Sequence, residues 1–502
     1  FRVTKKSLAP IRLFNPRKIV DTPPLDAGTF FRFAPPNAPR PYPRIPLPPL
    51  LDWSQWNVQA DPVTEVKTAP GTGGDVTGGF AKAIEMCNNN GHCRKFDSGT
   101  MCPSYRVTRD EQHLTRGRAN TLRLAISGQL GLDAFTSEAM YETMDLCVGC
   151  KGCKRDCPTG VDMAKMKIEF LAHYKKRHGY TLRDRLVAGL PDYANAMSRV
   201  PWLLNLRNSL PGVAWLSEKL LGFSARRSLP QWRGDIFWRA KDATMFAGRE
   251  ETIAAARAGK KAAVLFVDTF NGIFESENVH AAARVLRTAG YTLHTVEKRD
   301  GHHCCGRTYL ATGMIEQAKI RAEALVDALL PFAQEGIAIV GLEPSCLLTL
   351  RDETLVMGFG KKAVTVSRQA LLFEEFIARE AMAQRFKVKF KPVDKPILLH
   401  GHCHQKAFGA LSLVLDVLRL IPGAEPELIE SSCCGMAGSF GYEAEHYDIS
   451  MQMAEASLLP VVRKAPEAIV VADGTSCRHQ IADGTRHEAL HVARLLDGLI
   501  LA

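Results

Sequence analysis

The sequence predicts a multidomain α + α/β protein: an all-helical domain holding clustered cysteines, followed by two duplicated α/β repeats. Three observations carry this. Fourteen cysteines fall in two widely separated groups, at 87–157 and 304–477. Between them and around the first group, apolar residues recur at helical spacing, as in Leu122–Leu130 and Met163–Tyr174. From about residue 256, short continuously apolar runs of the buried-strand kind alternate with helical patterns. A chain of 502 residues also exceeds one ordinary core.

In chain order, the sequence starts Phe-Arg-Val rather than with Met, as expected of a processed chain or a piece of a longer one. No apolar signal core follows, and no run reaches the ~18 apolar residues of a membrane span. Residues 21–79 read as a Pro/Gly-rich linker, with ten prolines between 21 and 50. The patch Gly71-Thr72-Gly73-Gly74 to Gly78-Gly79 lacks the Gly-Lys-Ser/Thr ending of a phosphate loop, so it reads as a loop. Residues 80–255 form the expected helical domain, 256–390 the first α/β repeat and 391–502 the second. A net charge of +11 comes from scattered basic residues without a stripe of interleaved aromatics, which argues against nucleic-acid binding.

The duplication rests on three anchors in the same order. Val264–Phe270 aligns with Ile397–Cys403, Cys304-Cys305-Gly306 with Cys433-Cys434-Gly435, and Ile339–Cys346 with Val470–Cys477. In this alignment Phe270 stands opposite Cys403. The second repeat therefore offers the tetrad Cys403, Cys433, Cys434 and Cys477, whereas the first offers Cys304, Cys305 and Cys346 alone. His400, His402 and His404 surround the tetrad, and His302 and His303 precede the first pair. These imidazoles suit metal ligation, hydrogen bonding to sulfur or proton relay, beside the plainer reading of satisfied polar residues.

Cys147-x2-Cys150-x2-Cys153-x3-Cys157-Pro158 has the spacing with which one loop wraps three corners of an iron–sulfur cubane, while the Cys before Pro serves a second cluster. Its upstream partner is Cys87-x5-Cys93 with Cys102-Pro103. Crossing the two motifs gives one complete set, Cys102, Cys147, Cys150 and Cys153. The remainder, Cys87, Cys93 and Cys157, lacks one thiolate because Asn90 stands where a middle Cys belongs. A three-iron cluster, a four-iron cluster completed by Asn90 or His92, or an empty set are all open. Arg116 and Arg118 are candidates for tuning cluster potential. The long, helically patterned spacer suits an all-helical ferredoxin-like domain.

With these residues placed, the chain resembles the pairing of a helical ferredoxin with the cysteine-rich CCG domains of heterodisulfide reductase and glycolate oxidase iron–sulfur subunits. Leu51-Asp52-Trp53-Ser54, Cys87–Lys95, Arg116–Asn120 and His400-Gly401-His402-Cys403-His404-Gln405-Lys406 narrow this. They resemble the C-terminal half of large bacterial fusion enzymes, FAD-linked D-2-hydroxyacid dehydrogenases of the D-2-hydroxyglutarate or D-lactate type. Residues 1–20, through Pro10–Val20, resemble the last turn of the flavin-linked oxidase domain, which is otherwise absent from the sequence.

The resemblance implies [4Fe-4S] clusters here and FAD in an associated N-terminal module, with a further iron–sulfur cluster or zinc at the CCG domain. It implies the electron-transfer portion of a dehydrogenase acting on D-2-hydroxyglutarate, with D-lactate or glycolate as alternatives. The expected partners are the flavin domain and an electron acceptor such as a quinone or an electron-transfer flavoprotein; homo-oligomerisation is compatible with the sequence. The expected place is the cytoplasm, including the inner-membrane surface. Two rivals remain: a heterodisulfide or thiol–disulfide reductase subunit with a catalytic CCG metal site, and a scaffold holding structural zinc.

Overall fold

In a computed structural model, the described residues are 4–5, 7, 22, 24, 45–56, 77–96, 99–298 and 301–501. The flavin-tail motif at 10–20 and most of the Pro/Gly-rich stretch lie outside them. Residues 45–56 do not behave as a connector. Leu51 and Trp53 are buried in the helical domain's core. Glu169, fully buried, accepts from Leu50 N (2.7 Å), Leu51 N (3.0 Å) and Trp53 Nε1 (3.0 Å), and bonds His173 Nε2 at 3.0 Å.

The spine of the first domain is the helix Met163–His178, capped by Asp162, which accepts from Lys165 N, and closed by Lys175, Lys176, Arg177 and His178. That charge order follows the helix dipole. Around it pack Phe80–Glu85, Thr115–Ile126 and Glu138–Asp145, burying Phe80, Leu122, Phe135 and Phe170.

The α/β half contains two four-stranded parallel sheets and a small antiparallel ribbon. Its strands are β1 (Ala262–Phe266), β2 (Thr292–His294), β3 (Glu297–Lys298), β4 (Gly301–His302), β5 (Ala338–Gly341), β6 (Ala370–Leu372), β7 (Ile397–Leu399), β8 (Pro426–Leu428), β9 (Ile469–Val471) and β10 (Ala489–Leu490). The sheet orders are β2-β1-β5-β6 and β8-β7-β9-β10, the same topology twice. Helical crossovers cover both faces, which is why the central strands β1, β5, β7 and β9 are apolar throughout. One core joins the repeats: Ser276–Thr288 packs on Val492–Leu499, and Phe373–Met382 on Leu411–Leu418. Among the described residues, no helix is long and apolar enough to cross a membrane.

Sheet register corrects the repeat alignment. Phe266 pairs with Gly341, whereas Leu399 pairs with Val471. Because Gly341 matches Ala472, Phe266 matches His400 rather than Leu399. Asp268 and His402 then both cap the following helix, and Thr269 and Cys403 are both its first residue. Thr269, not Phe270, occupies the position of Cys403.

Candidate iron–sulfur and metal sites

In the helical domain, the loop carrying Cys102 is pressed against the loop carrying Cys153. A Cβ on Gly152 would meet Met101 N at 2.9 Å. Asp156 Oδ2 fastens the two by accepting from Thr100 N (2.7 Å) and Met101 N (3.2 Å). Thr115 N donates to Cys102 Sγ (3.2 Å) and its hydroxyl lies 3.1 Å from the same sulfur. The thiols of Cys102, Cys150 and Cys153 are fully buried in this way, and burial pushes all three up. Cys102 and Cys147 both raise Cys153, and Cys102 raises Cys150.

The arginines divide. Arg118 is buried, donates to Thr143 O (3.1 Å) and Ser104 Oγ (3.0 Å), and offsets part of the burial penalty on Cys102. Arg116 pairs instead with Glu111, while its backbone N–H lowers Cys93. Burial nevertheless holds Cys93 at about 11, with Cys102 and Cys87 adding to the rise. Asn90 is exposed and spends its side chain in its own turn, Oδ1 accepting from His92 N (2.8 Å) and Nδ2 donating to Asn88 Oδ1 (2.6 Å). That speaks against Asn90 as a fourth ligand. Cys157, half-buried, lies 3.3 Å from Thr159 Oγ1.

The two CCG turns share one backbone device. Gly306 (φ 82°) and Gly435 (φ 87°) are left-handed, and an added Cβ would press on Ala318 O and Ser450 O respectively. Only glycine fits both restrictions. The turn lets Gly306 N donate to Cys304 Sγ (3.3 Å) and Gly435 N to Cys433 Sγ (3.4 Å).

In the second repeat, Cys434, Cys477 and His400 bring their ligand atoms within 4.8 Å of one another. His400 Nδ1 is held by Ser431 Oγ (2.9 Å), while its buried Nε2 has no hydrogen-bond partner. Thiol hydrogen bonds run from Cys433 to Cys403 and from Cys433 and Cys477 to Cys434. They pull Cys403 down to about 6 against burial and lower Cys434 strongly, while Cys433 and Cys477 are raised. A buried, orphaned imidazole nitrogen converging with thiols is the donor chemistry of iron–sulfur or zinc binding, so the residues fit a metal group. His400 thereby joins the sequence-proposed tetrad as a further candidate donor.

In the first repeat, Cys304, Cys305 and Cys346 also share hydrogens, but all three are raised, Cys346 to about 12. Thr269 supplies a hydroxyl to Cys304, and its Oγ1 bonds His302 Nε2 at 2.7 Å. A neutral hydroxyl thus fills the place that Cys403 has in the second repeat.

The helical domain and the second repeat meet where the Cys150 loop packs on the Cys403 helix. Cys403 is the largest electrostatic influence on Cys150 after burial. His404 Nε2 lies 3.1 Å from Gly149 O, and the helices Gly152–Asp156 and Cys403–Phe408 pack together. A buried charge network ties the first repeat to the same loop: Lys151 Nζ donates to Asp352 Oδ2 and Glu353 Oε2 (both 2.7 Å), and Arg307 donates to Glu353 Oε1 (2.6 Å). Sequence reading missed this network, because its partners lie some 200 residues apart.

The 4Fe-4S dicluster domain family matches residues 83–161, and the cysteine-rich domain family matches twice, at 270–351 and 397–482. The chain is 27% identical over 448 residues to D-2-hydroxyglutarate dehydrogenase of Escherichia coli strain K12, covering 80% of this chain and 42% of that protein. It is 26% identical over 303 residues to one subunit of the anaerobic glycerol-3-phosphate dehydrogenase of the same organism, covering 59% of this chain and 71% of that one. Against its glycolate oxidase iron–sulfur subunit, identity is 24% over 438 residues, 82% and 93% of the two chains. No solved structure matches. The chain spans less than half the length of the hydroxyglutarate dehydrogenases it matches. It combines a 4Fe-4S dicluster domain with a duplicated cysteine-rich domain, an iron–sulfur protein homologous to dehydrogenase and oxidase iron–sulfur subunits.

Proposed function

We propose that this chain is the electron-relay portion of an FAD-dependent D-2-hydroxyacid dehydrogenase, with D-2-hydroxyglutarate as the first substrate to test. The oxidation of the hydroxyacid belongs to a flavin module outside this sequence. Clusters held by Cys102, Cys147, Cys150 and Cys153, and by Cys87, Cys93 and Cys157 with a further donor, would supply one-electron steps. The tetrad of Cys403, Cys433, Cys434 and Cys477 would hold the metal group next in line. The chain's own part is burial of the thiols, hydrogen bonding to sulfur by Thr115 and the CCG glycines, and the buried cation of Arg118 beside Cys102.

The observation that carries this reading is the packing of the Cys150 loop on the helix that begins at Cys403, with His404 Nε2 3.1 Å from Gly149 O. The similarity to D-2-hydroxyglutarate dehydrogenases supports the substrate class. The test is anaerobic iron–sulfur loading of the chain, followed by mixing with a separately expressed flavin module and D-2-hydroxyglutarate. Bleaching of the cluster absorbance on adding substrate is expected, and Cys150→Ser should abolish most of it. A loaded chain that stays oxidised while the flavin is reduced would refute the relay.

A further inference from the structure

His400 directly follows β7, is tied back to the sheet by its N–H and Val471 O (2.9 Å), and is 1% exposed. Sheet register places Phe266 at the matching position of the first repeat. An imidazole thus stands beside the complete thiol tetrad, and a phenyl ring beside the incomplete set. A ligand nitrogen of His400 lies within 4.8 Å of both the Cys434 and Cys477 sulfurs. Nδ1 is engaged by Ser431 Oγ (2.9 Å), so Nε2, buried and without a hydrogen-bond partner, is the nitrogen free for them. A buried polar atom left so calls for a partner outside the chain. Ser431 is fixed in turn by Lys406, whose Nζ donates to Ser431 Oγ (3.2 Å), Ser432 O (3.0 Å) and Ser431 O, using all three hydrogens. The Ser431 hydroxyl has Ile429 O as its own acceptor at 3.4 Å. With its proton there, Ser431 Oγ receives hydrogens from both Lys406 and His400 Nδ1, and Nε2 keeps its lone pair. Cys403, Cys433 and Cys434 face a cavity of about 1320 Å3 that the helices of 182–221 also line, whereas Cys477 and His400 take no part in its wall.

We infer that His400 Nε2 is a direct ligand of the second-repeat metal group, beside Cys434 and Cys477, and that Ser431 and Lys406 hold the ring in its ligating tautomer. The inference rests on the reading of the tetrad as a metal site. On binding, Cys434 and Cys477 give their thiol protons to solvent, while the imidazole keeps its own on Nδ1. The other tautomer, with Nε2–H aimed at Cys434, would spend a buried donor on a weak sulfur acceptor. A neutral nitrogen in place of a thiolate removes one negative charge, which raises the reduction potential of an iron–sulfur group. Lys406 adds a partly buried cation, whose charged form Cys403, Cys477, Cys433 and Cys434 each favour. The set Cys102, Cys147, Cys150 and Cys153, by contrast, offers thiolates alone. His400 and Lys406 therefore give the relay a direction, with the second repeat as its higher-potential end.

The test uses the full chain with its histidines labelled with nitrogen-15, loaded anaerobically with iron and sulfide and reduced with dithionite. Pulsed electron paramagnetic resonance should show a strongly coupled nitrogen on the signal that Cys434→Ser abolishes. His400→Ala should remove that coupling and leave the cubane signal intact. Ser431→Ala and Lys406→Met should weaken retention of the second-repeat metal against a chelator about 10–100-fold, while Ser431→Thr, which keeps the hydroxyl, should not. In a redox titration the second-repeat centre should be reduced before the cubane, and Lys406→Met should shift it to lower potential. Should Lys406→Met fail to fold, Ser431→Ala still decides the tautomer device. A second-repeat signal without a strongly coupled nitrogen, or a coupling that survives His400→Ala, would overturn the proposal. Unmoved retention and potential in both positioning variants would reduce Ser431 and Lys406 to structural residues and overturn their part. Uptake of zinc instead of iron by the second repeat would sink the relay, and zinc retention would then decide the ligand. Weaker zinc retention in His400→Ala would uphold it, and unchanged retention would overturn it.

Discussion

Thr269 separates the two cysteine-rich repeats. It carries a hydroxyl where the second repeat has the Cys403 thiol, and it already touches Cys304 and His302. Metal should therefore bind mainly in the second repeat: Cys434→Ser should lower metal content clearly, and Cys305→Ser much less. Thr269→Cys supplies the missing donor at the right residue and should raise metal content, whereas Phe270→Cys should not. Elemental analysis of anaerobically loaded variants checks all four, and equal losses from Cys434→Ser and Cys305→Ser would show two occupied sites. The cysteine positions themselves were legible, because thiolate spacing is dictated by the geometry of the metal group. The one-residue error at Phe270 was not avoidable from sequence, since both strand ends are apolar and only hydrogen-bond register fixes which residue starts the helix.

Elements are locked around the Cys150 loop by charges that no local pattern announces. Asp352, buried, meets Lys151, Lys154 and Lys165, and this holds its carboxyl well below the usual carboxylate range despite burial. Asp352→Ala leaves buried ammonium groups without their partner and should cost about 3–5 kcal/mol in a denaturation experiment. A loss under about 1 kcal/mol would place the network among weak surface pairs. A second clasp joins the helix Glu138–Asp145 to the second repeat: His446 bonds Asp145 Oδ2 (2.6 Å) and Glu443 Oε2 (2.9 Å). Burial opposes the charge on His446, but the two carboxylates raise it to about 9. The stabilisation is therefore fully present below the ordinary imidazole value and is lost as pH rises through about 9. Denaturation midpoints should fall across that window in the unaltered chain, and His446→Gln should flatten the fall. A pH response unchanged by the substitution would rule out this clasp. The helices of 182–221 were legible as helices; their shared cavity was not, because it depends on how they lean on the second repeat.

At the scale of the whole molecule, the order of parts in the sequence becomes a spatial order of thiols, from the 83–161 domain through Cys150 and Cys403 to the tetrad and its cavity. The segment at 45–56 read as part of a linker because it lies within the Pro/Gly-rich stretch 21–79, yet Trp53 and Glu169 make it a strap on the helical domain. Trp53→Ala should cost about 3–5 kcal/mol through the lost ring and the loss of one hydrogen bond to Glu169, measurable in thermal or chemical unfolding. Passage of electrons from the helical domain to the second repeat is read by electron paramagnetic resonance of the loaded, dithionite-reduced chain. The prediction is a reduced-cubane signal that Cys150→Ser removes, broadened by a neighbouring paramagnetic centre in the unaltered chain and narrowed when Cys434→Ser empties the tetrad. A chain that takes up zinc alone, or whose cubane signal is indifferent to Cys434→Ser, would contradict it.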